Sequence, residues 1–129
     1  MEDYPNLSQG NFPINFNLNV GDLCKIIDKT KFAISMEETR YYLNGIYLHK
    51  HNNKLISVAT DGHRLARTSV DLPNGANLPN GVIIPRKAIY EIRKLIDDYS
   101  NDEIVSISVS DNKIRVKIRN SLITSKLID

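Results

Sequence analysis

Apolar residues recur along the chain in two rhythms, one with a period near 3.6 residues and one with a period of 2. The helical rhythm occurs twice, over residues 20–30 and again over residues 85–99. The alternating rhythm is clearest over residues 105–109 and 114–118, which flank a turn signal at 111–112. Two alternating segments around a turn predict an antiparallel hairpin with one face in water.

The predicted elements follow the same order in both halves of the chain. A short apolar stretch at 14–18 precedes the first helix, and Asn19 with Asp22 three residues later fits an N-terminal cap. Strand-like segments then follow in the first half at 31–35, 43–50, 54–60 and 64–70. The second half begins with a strand at 82–84 and a helix starting at Pro85, and its later strands are at 105–109, 113–119 and 122–127. The sequence predicts an α+β domain of two pseudo-symmetric strand–helix–strands units, with both helices on one face of an antiparallel sheet.

Length and composition limit the class of protein. The 129 residues suffice for one domain, which we place at 14–129 after a polar linker or arm at 1–13. No apolar run approaches the roughly 20 residues of a membrane span, the N-terminus lacks the pattern of a signal peptide, and the single Cys24 favours a cytosolic compartment. The final segment, SLITSKLID, is a strand pattern with no polar tail, which predicts a piece of a longer protein.

The net charge of +2 is modest, but basic side chains are concentrated on the predicted helices. Six of them project away from the apolar stripes, namely Lys25, Lys29, Arg86, Lys87, Arg93 and Lys94, and Tyr90 projects to the same side. Such a surface either attracts phosphates or is an ordinary solvated helix face, and periodicity leaves both open. A second basic stripe over 113–119 is better explained as the wet face of a hairpin that discourages edge pairing.

Candidates for catalysis and metal binding are weak. Cys24 lies on the apolar stripe of the first helix, where a small buried hydrophobe is expected. His49 and His51 alternate beside a turn without a further local ligand, and Asp61 with His63 belongs to a turn at the end of a strand. Phosphate-binding loops and zinc-binding spacings are missing from the sequence. We therefore predict no catalytic residue, no metal site and no cofactor.

Four segments, in this order, resemble the middle domain of the bacterial sliding-clamp family, the beta subunit of DNA polymerase III. They are RYYLNGIYLH at 40–49, SVATDGHRLA at 57–66, VIIPRKAIYEIRKLI at 82–96 and SLITSKLID at 121–129. The resemblance runs from about residue 16 to the last residue and implies the DNA-clamp fold. It also implies a cytoplasmic, nucleoid-associated processivity factor without catalytic activity.

The resemblance implies a role in encircling DNA. Family members have three similar domains, and two chains close head to tail into a homodimeric ring whose helices line the channel around duplex DNA. Contacts with DNA are then sparse and independent of sequence. The residues implied to face DNA are Lys25, Lys29, Tyr41, Tyr42, Arg86, Lys87, Arg93 and Lys94.

The resemblance also implies a pocket for short peptides of the polymerase III alpha subunit, the clamp-loader delta subunit and other proteins with a clamp-binding motif. The residues that match the pocket are Leu43, Thr60, Gly62, His63, Arg64 and Leu65. The chain stops before the GxFPDY-like segment that usually completes this pocket. The isolated chain is therefore expected to be a monomer with an incomplete pocket and weak attraction to DNA.

Two other functions stay open on the residues alone. One is a hydrolase-like enzyme that uses His63 with Asp61, which would leave the internal repeat and the basic helix faces unexplained. The other is a peptide-binding module unrelated to DNA, for which the basic helix faces would have no function.

Overall fold

A computed structural model describes residues 12–34, 44–78 and 81–128 of the chain. The first half contains, in order, β1 (Ile14–Asn19), α1 (Val20–Asp28), one turn of 3-10 helix (Lys31–Ala33), β2 (Gly45–His51), β3 (Lys54–Thr60) and β4 (Leu65–Asp71). The second half contains β5 (Val82–Pro85), α2 (Arg86–Ile96), β6 (Ile104–Val109), β7 (Lys113–Ile118) and β8 (Ser121–Lys126). The repeated order of elements and the α+β class predicted from the sequence are thus confirmed.

The strands form two four-stranded antiparallel sheets, in the orders β1-β6-β7-β8 and β4-β3-β2-β5. The sequence pattern predicts a single sheet under both helices, whereas the structure divides the strands between two. Strand β1 pairs with β6, the first strand after α2, and β5 pairs with β2, the first strand after α1. Each sheet therefore combines three strands of one half of the chain with one strand of the other. An isolated antiparallel bridge also pairs Ile83 of β5 with Ile128, which lies two residues after β8.

Both helices begin and end where local chemistry allows. The side chain of Asn19 caps α1, since its Oδ1 accepts the N–H of Asp22 at 2.7 Å, as predicted. Pro85 is the residue before α2 rather than its first residue, and it offers no capping side chain. The helix ends at Ile96, so Tyr99 of the predicted stripe lies beyond it and packs against the core from a turn.

The strand predicted at 31–35 is wrong for its described part, where a 3-10 turn follows α1. Two buried hydroxyls hold the chain there. Thr30 Oγ1 donates to the carbonyl of Ile26 at 2.7 Å, and Ser57 Oγ of β3 donates to the same oxygen at 3.1 Å. Because these side chains satisfy the end of the helix inside the core, the backbone turns at once instead of extending.

One cluster of buried apolar side chains joins both helices to the inner faces of both sheets. Leu18 and Ile107 of one sheet, Ile46 and Ile84 of the other, and Ile89 of α2 line the same small cavity of about 20 Å³. Removing such side chains from water stabilises the fold by about 1.5–3 kcal/mol for each. In the part of the chain that the structure describes, no helix is long and apolar enough to cross a membrane.

Cys24 lies at the margin of this core. Its side chain is half-buried and packs against the buried cluster, and burial raises the pKa of its thiol. A raised pKa keeps the sulfur protonated and less nucleophilic, which agrees with the packing role expected from the sequence.

Candidate functional site

Residues 61–64 connect β3 to β4, and the carboxylate of Asp61 organises them. Its Oδ1 accepts the backbone N–H of His63 at 2.9 Å and that of Arg64 at 3.1 Å. These hydrogen bonds, that of His63 first, hold the pKa of Asp61 below its ordinary value. The predicted strand at 64–70 therefore begins one residue later, at Leu65, because His63 and Arg64 are held in the turn.

Thr60 closes the same connection from the other side. Its hydroxyl donates to the carbonyl of Arg64 at 2.7 Å and accepts the N–H of Gly62 at 3.1 Å. Gly62 has a φ of 94°, in the left-handed region that favours glycine. Thr60 at the end of β3 and Leu65 at the start of β4 face each other directly across the strand pair. Five of the six predicted peptide-binding residues thus lie within residues 60–65, a hydrogen-bonded segment that we call the 60–65 turn.

The side chain of Arg64 ties this turn to the 3-10 turn after α1. Its Nε donates to Asp61 Oδ2 at 3.2 Å, and its Nη2 donates to the carbonyl of Phe32 at 2.8 Å. The guanidinium carbon also lies 5.4 Å from the centre of the Phe32 ring. Two nitrogens of the guanidinium are therefore already engaged within the chain.

Two large apolar side chains are exposed beside Arg64. Leu65 is 65% exposed and Phe32 is 56% exposed. The sequence predicted Leu65 as a site residue, whereas Phe32 was missed, since its only sequence signal is that it falls outside the apolar stripes. Leu43 of the predicted pocket lies outside the described residues, as do Tyr41 and Tyr42 of the predicted DNA surface.

The basic helix face has the outward orientation that the periodicity predicted. The exposed residues of α1 and its C-cap, and those of α2, are Lys25, Asp28, Lys29, Lys87, Tyr90, Glu91 and Lys94, while Arg86 is partly buried. Lys29, Lys87 and Lys94 form no salt bridge with another described residue. Their charges are therefore available to a polyanion.

Arg93, another predicted DNA contact, is instead held between carboxylates. Its Nε and Nη2 donate to the two oxygens of Asp28 at 2.9 and 3.3 Å, and its Nη1 donates to Asp97 at 3.2 Å. The hydrogen bond from Arg93 lowers the pKa of Asp28, and the same bond raises that of Arg93. The pair joins the last turns of α1 and α2 through a bidentate, charge-assisted contact.

The second basic stripe lies on the other side of the domain. Ile114 and Val116 of β7 face the core, so Arg115 and Lys117, which alternate with them, face away from the helices. Arg119, just after β7, forms two hydrogen bonds of 2.9 Å with Glu103. Among the described residues there are therefore two separate basic surfaces, which mutations can distinguish.

Comparison with known proteins shows one family. The family described as "DNA polymerase III beta subunit, central domain" matches residues 17–129. The beta sliding clamp of Caulobacter vibrioides is 46% identical over 131 residues, covering 98% of this chain and 35% of the relative. That of Rickettsia felis is 41% identical, covering 100% of this chain and 34% of the relative.

Solved structures agree. The sliding clamp of Bartonella birtlesii, bound to griselimycin, is 47% identical with a TM-score of 0.89 and covers 99% of this chain and 35% of that one. The beta subunit of Pseudomonas aeruginosa is 38% identical with a TM-score of 0.84, covering 99% of this chain and 35% of that one. The chain thus spans about a third of the length of its relatives. It belongs to the family of the DNA polymerase III beta subunit, the sliding clamp of DNA replication, and corresponds to the central domain of that subunit.

Proposed function

We propose that this chain acts as the middle domain of a replicative sliding clamp, a non-catalytic processivity factor. In the complete protein, a homodimeric ring, its helices face duplex DNA and its 60–65 turn docks peptides of the polymerase III alpha subunit and the clamp-loader delta subunit. The observation that carries the proposal is the face of α1 and α2 on which Lys29, Lys87 and Lys94 are left without salt bridges among the described residues.

The physics of this face suits sliding. Lysines on exposed helix positions attract phosphates without reading bases, so the contact does not depend on sequence. Arg93 is neutralised by Asp28 and Asp97, and Glu91 is exposed on the same side, which keeps the attraction weak. A ring that holds DNA by its topology needs such weak contacts, since tight contacts would slow its movement.

Neutralising the helix face should weaken the salt-dependent binding of DNA. We expect the triple variant Lys29→Gln, Lys87→Gln, Lys94→Gln of this chain to lose about 0.9 from the slope of log K against log salt for each lysine that contacts a phosphate. The measurement is an NMR titration with a short duplex at several salt concentrations. The starting affinity is weak, with a Kd on the order of 10⁻⁴ M or more, as for non-specific binding.

The control removes the same charge from the other basic surface. The triple variant Lys113→Gln, Lys117→Gln, Lys126→Gln changes exposed or half-exposed strand positions that face away from the helices. We expect its slope to match that of the wild type. Equal losses in both triple variants would contradict a DNA-facing helix surface and favour the peptide-binding module unrelated to DNA.

The 60–65 turn suits peptide docking because it is preorganised. Asp61 and Thr60 fix its backbone, and Arg64 fixes its position against Phe32, so little conformational entropy is lost on binding. The exposed Leu65 provides an apolar surface for leucine and phenylalanine side chains of a peptide.

Truncating Leu65 should weaken peptide binding. In the full-length clamp that carries this sequence as its middle domain, we expect Leu65→Ala to reduce the affinity for a peptide containing leucine and phenylalanine by about tenfold, as for a modest hot spot. Fluorescence anisotropy with a labelled peptide measures this. Leu122→Ala, which truncates a leucine of similar exposure on β8, is the matched control and should leave the affinity unchanged. If Leu65→Ala and Leu122→Ala bind the peptide with equal affinity, the peptide does not dock on Leu65.

A further inference from the structure

The exposed stripe of α2 contains one aromatic residue among its charges. Tyr90 is 46% exposed, whereas its neighbours Ile89 and Ile92 are each 2% exposed and belong to the core. Lys87 precedes it by three residues and Lys94 follows it by four, so all three side chains lie on one side of the helix. Tyr90 is therefore in the middle of the lysine stripe and not on the face that packs against the sheets.

The fold itself gives no reason for a tyrosine at this position. Within the described part of the chain, the hydroxyl of Tyr90 has no hydrogen-bond partner, and its ring takes no part in the buried cluster. On a solvated helix face, lysine, glutamate or glutamine would favour the helix more than tyrosine does, by a few tenths of a kcal/mol. An exposed ring with an unused donor is better explained by a ligand.

We propose that Tyr90 contacts the DNA backbone, its hydroxyl donating a hydrogen bond to a phosphate oxygen between the contacts of Lys87 and Lys94. The inference rests on the DNA-binding role proposed above for the helix face. Tyrosine is one of the side chains that position proteins on phosphates without reading bases. The stripe from Lys87 to Lys94 is about 10 Å long, which is enough to contact more than one phosphate of a DNA strand.

A neutral donor has a consequence that a lysine does not. Glu91, exposed beside Tyr90, offsets part of the positive charge of the stripe. The hydroxyl adds a directional hydrogen bond without adding charge, and it therefore displaces no condensed cations from the DNA. Tyr90 should thus raise the affinity equally at every salt concentration, whereas Lys87 raises it mostly at low salt.

This difference provides the test. The 129-residue chain is titrated with a short duplex by NMR over a range of low salt concentrations, where its affinity reports contacts alone because no ring is closed around the DNA. We expect Tyr90→Phe to weaken binding by about fivefold at every salt concentration, as for the loss of one hydrogen bond, with an unchanged slope. We expect Lys87→Gln to lower the slope by about 0.9. The matched control is Tyr47→Phe, which removes the hydroxyl of a tyrosine 38% exposed on β2, on the face away from the helices, and should have no effect.

The outcomes separate the two proposals. Wild-type affinity in Tyr90→Phe, together with a lower slope in Lys87→Gln, would overturn the role of Tyr90 and leave the DNA-facing helix surface standing. A lower slope in Tyr90→Phe, or an equal loss in Tyr47→Phe, would also overturn it. If neither Tyr90→Phe nor Lys87→Gln changes binding, the proposed DNA role of this face fails as well.

Discussion

Replacing Gly45 with alanine is expected to destabilise the domain by about 3 kcal/mol, as for severe overpacking. Gly45 opens β2 and pairs with Pro85 at the end of β5. A Cβ at Gly45 would overlap the carbonyl oxygen of Ile84 and lie 2.8 Å from the carbonyl carbon. Both atoms are backbone, so no side chain can rotate away and the two strands must separate.

The substitution would disrupt the pairing of β2 with β5, which joins the two halves of the chain. It would also reach the start of α2, whose first residue, Arg86, donates its N–H to the carbonyl of Asn44 at 2.7 Å. Thermal unfolding should show a Tm lower by roughly 10 °C. Gly21→Ala is the matched control, because the three atoms nearest to its new Cβ are side-chain atoms of Asn19 and Asn101, the closest at 3.3 Å. Alanine also favours a helix, so we expect little change in Tm. A Tm for Gly45→Ala equal to that of the wild type would show that the strands move apart without cost.

Truncating Ile96 should lower the stability of the domain by a similar amount, because it creates a cavity where Gly45→Ala creates a clash. Ile96 ends α2 with 0% of its surface exposed, so Ile96→Ala leaves a cavity in the core. We expect a loss of about 2–5 kcal/mol from the free energy of unfolding, the range for large-to-alanine core substitutions. That is a large fraction of the free energy of unfolding of a typical domain, which is about 5–15 kcal/mol.

Urea unfolding measures this loss as a lower midpoint with an unchanged dependence on urea concentration. Leu95→Ala is the matched control, because Leu95 is the preceding residue of the same helix and is only partly buried against the core. It should lose clearly less than Ile96→Ala. Equal losses would mean that helix propensity, rather than burial of Ile96, determines the stability at this end of α2.

Local signals predicted most of the secondary structure. The strand at 54–60, the turn at 111–112, the cap at Asn19 and the outward side of both helices are all in the structure as predicted. Each depends on residues within a few positions of one another, so neighbouring side chains are enough to specify it. The prediction for the segment after α1 is wrong because the conformation there depends on a distant residue. Ser57 donates a hydrogen bond to the carbonyl of Ile26, 31 residues away in the chain.

The candidate site shows the same division. The motif at 60–65 and the basic helix residues can be read from the sequence, but their side-chain partners cannot. Arg64 meets the carbonyl of Phe32, and Arg93 meets Asp28, across 32 and 65 residues of chain. These contacts turn one expected peptide ligand and one expected phosphate ligand into partly structural residues.

By itself, the sequence determined which side of each element is buried, the repeated order of elements and the family. Tertiary structure alone decided that the strands form two sheets and that β1 pairs with β6 and β5 with β2. The reason is physical: an apolar periodicity records that a face avoids water, but any strand edge offers the same backbone hydrogen bonds. Which edge a strand joins depends on how both helices fill the space over both sheets, and only the complete packing of the core selects it.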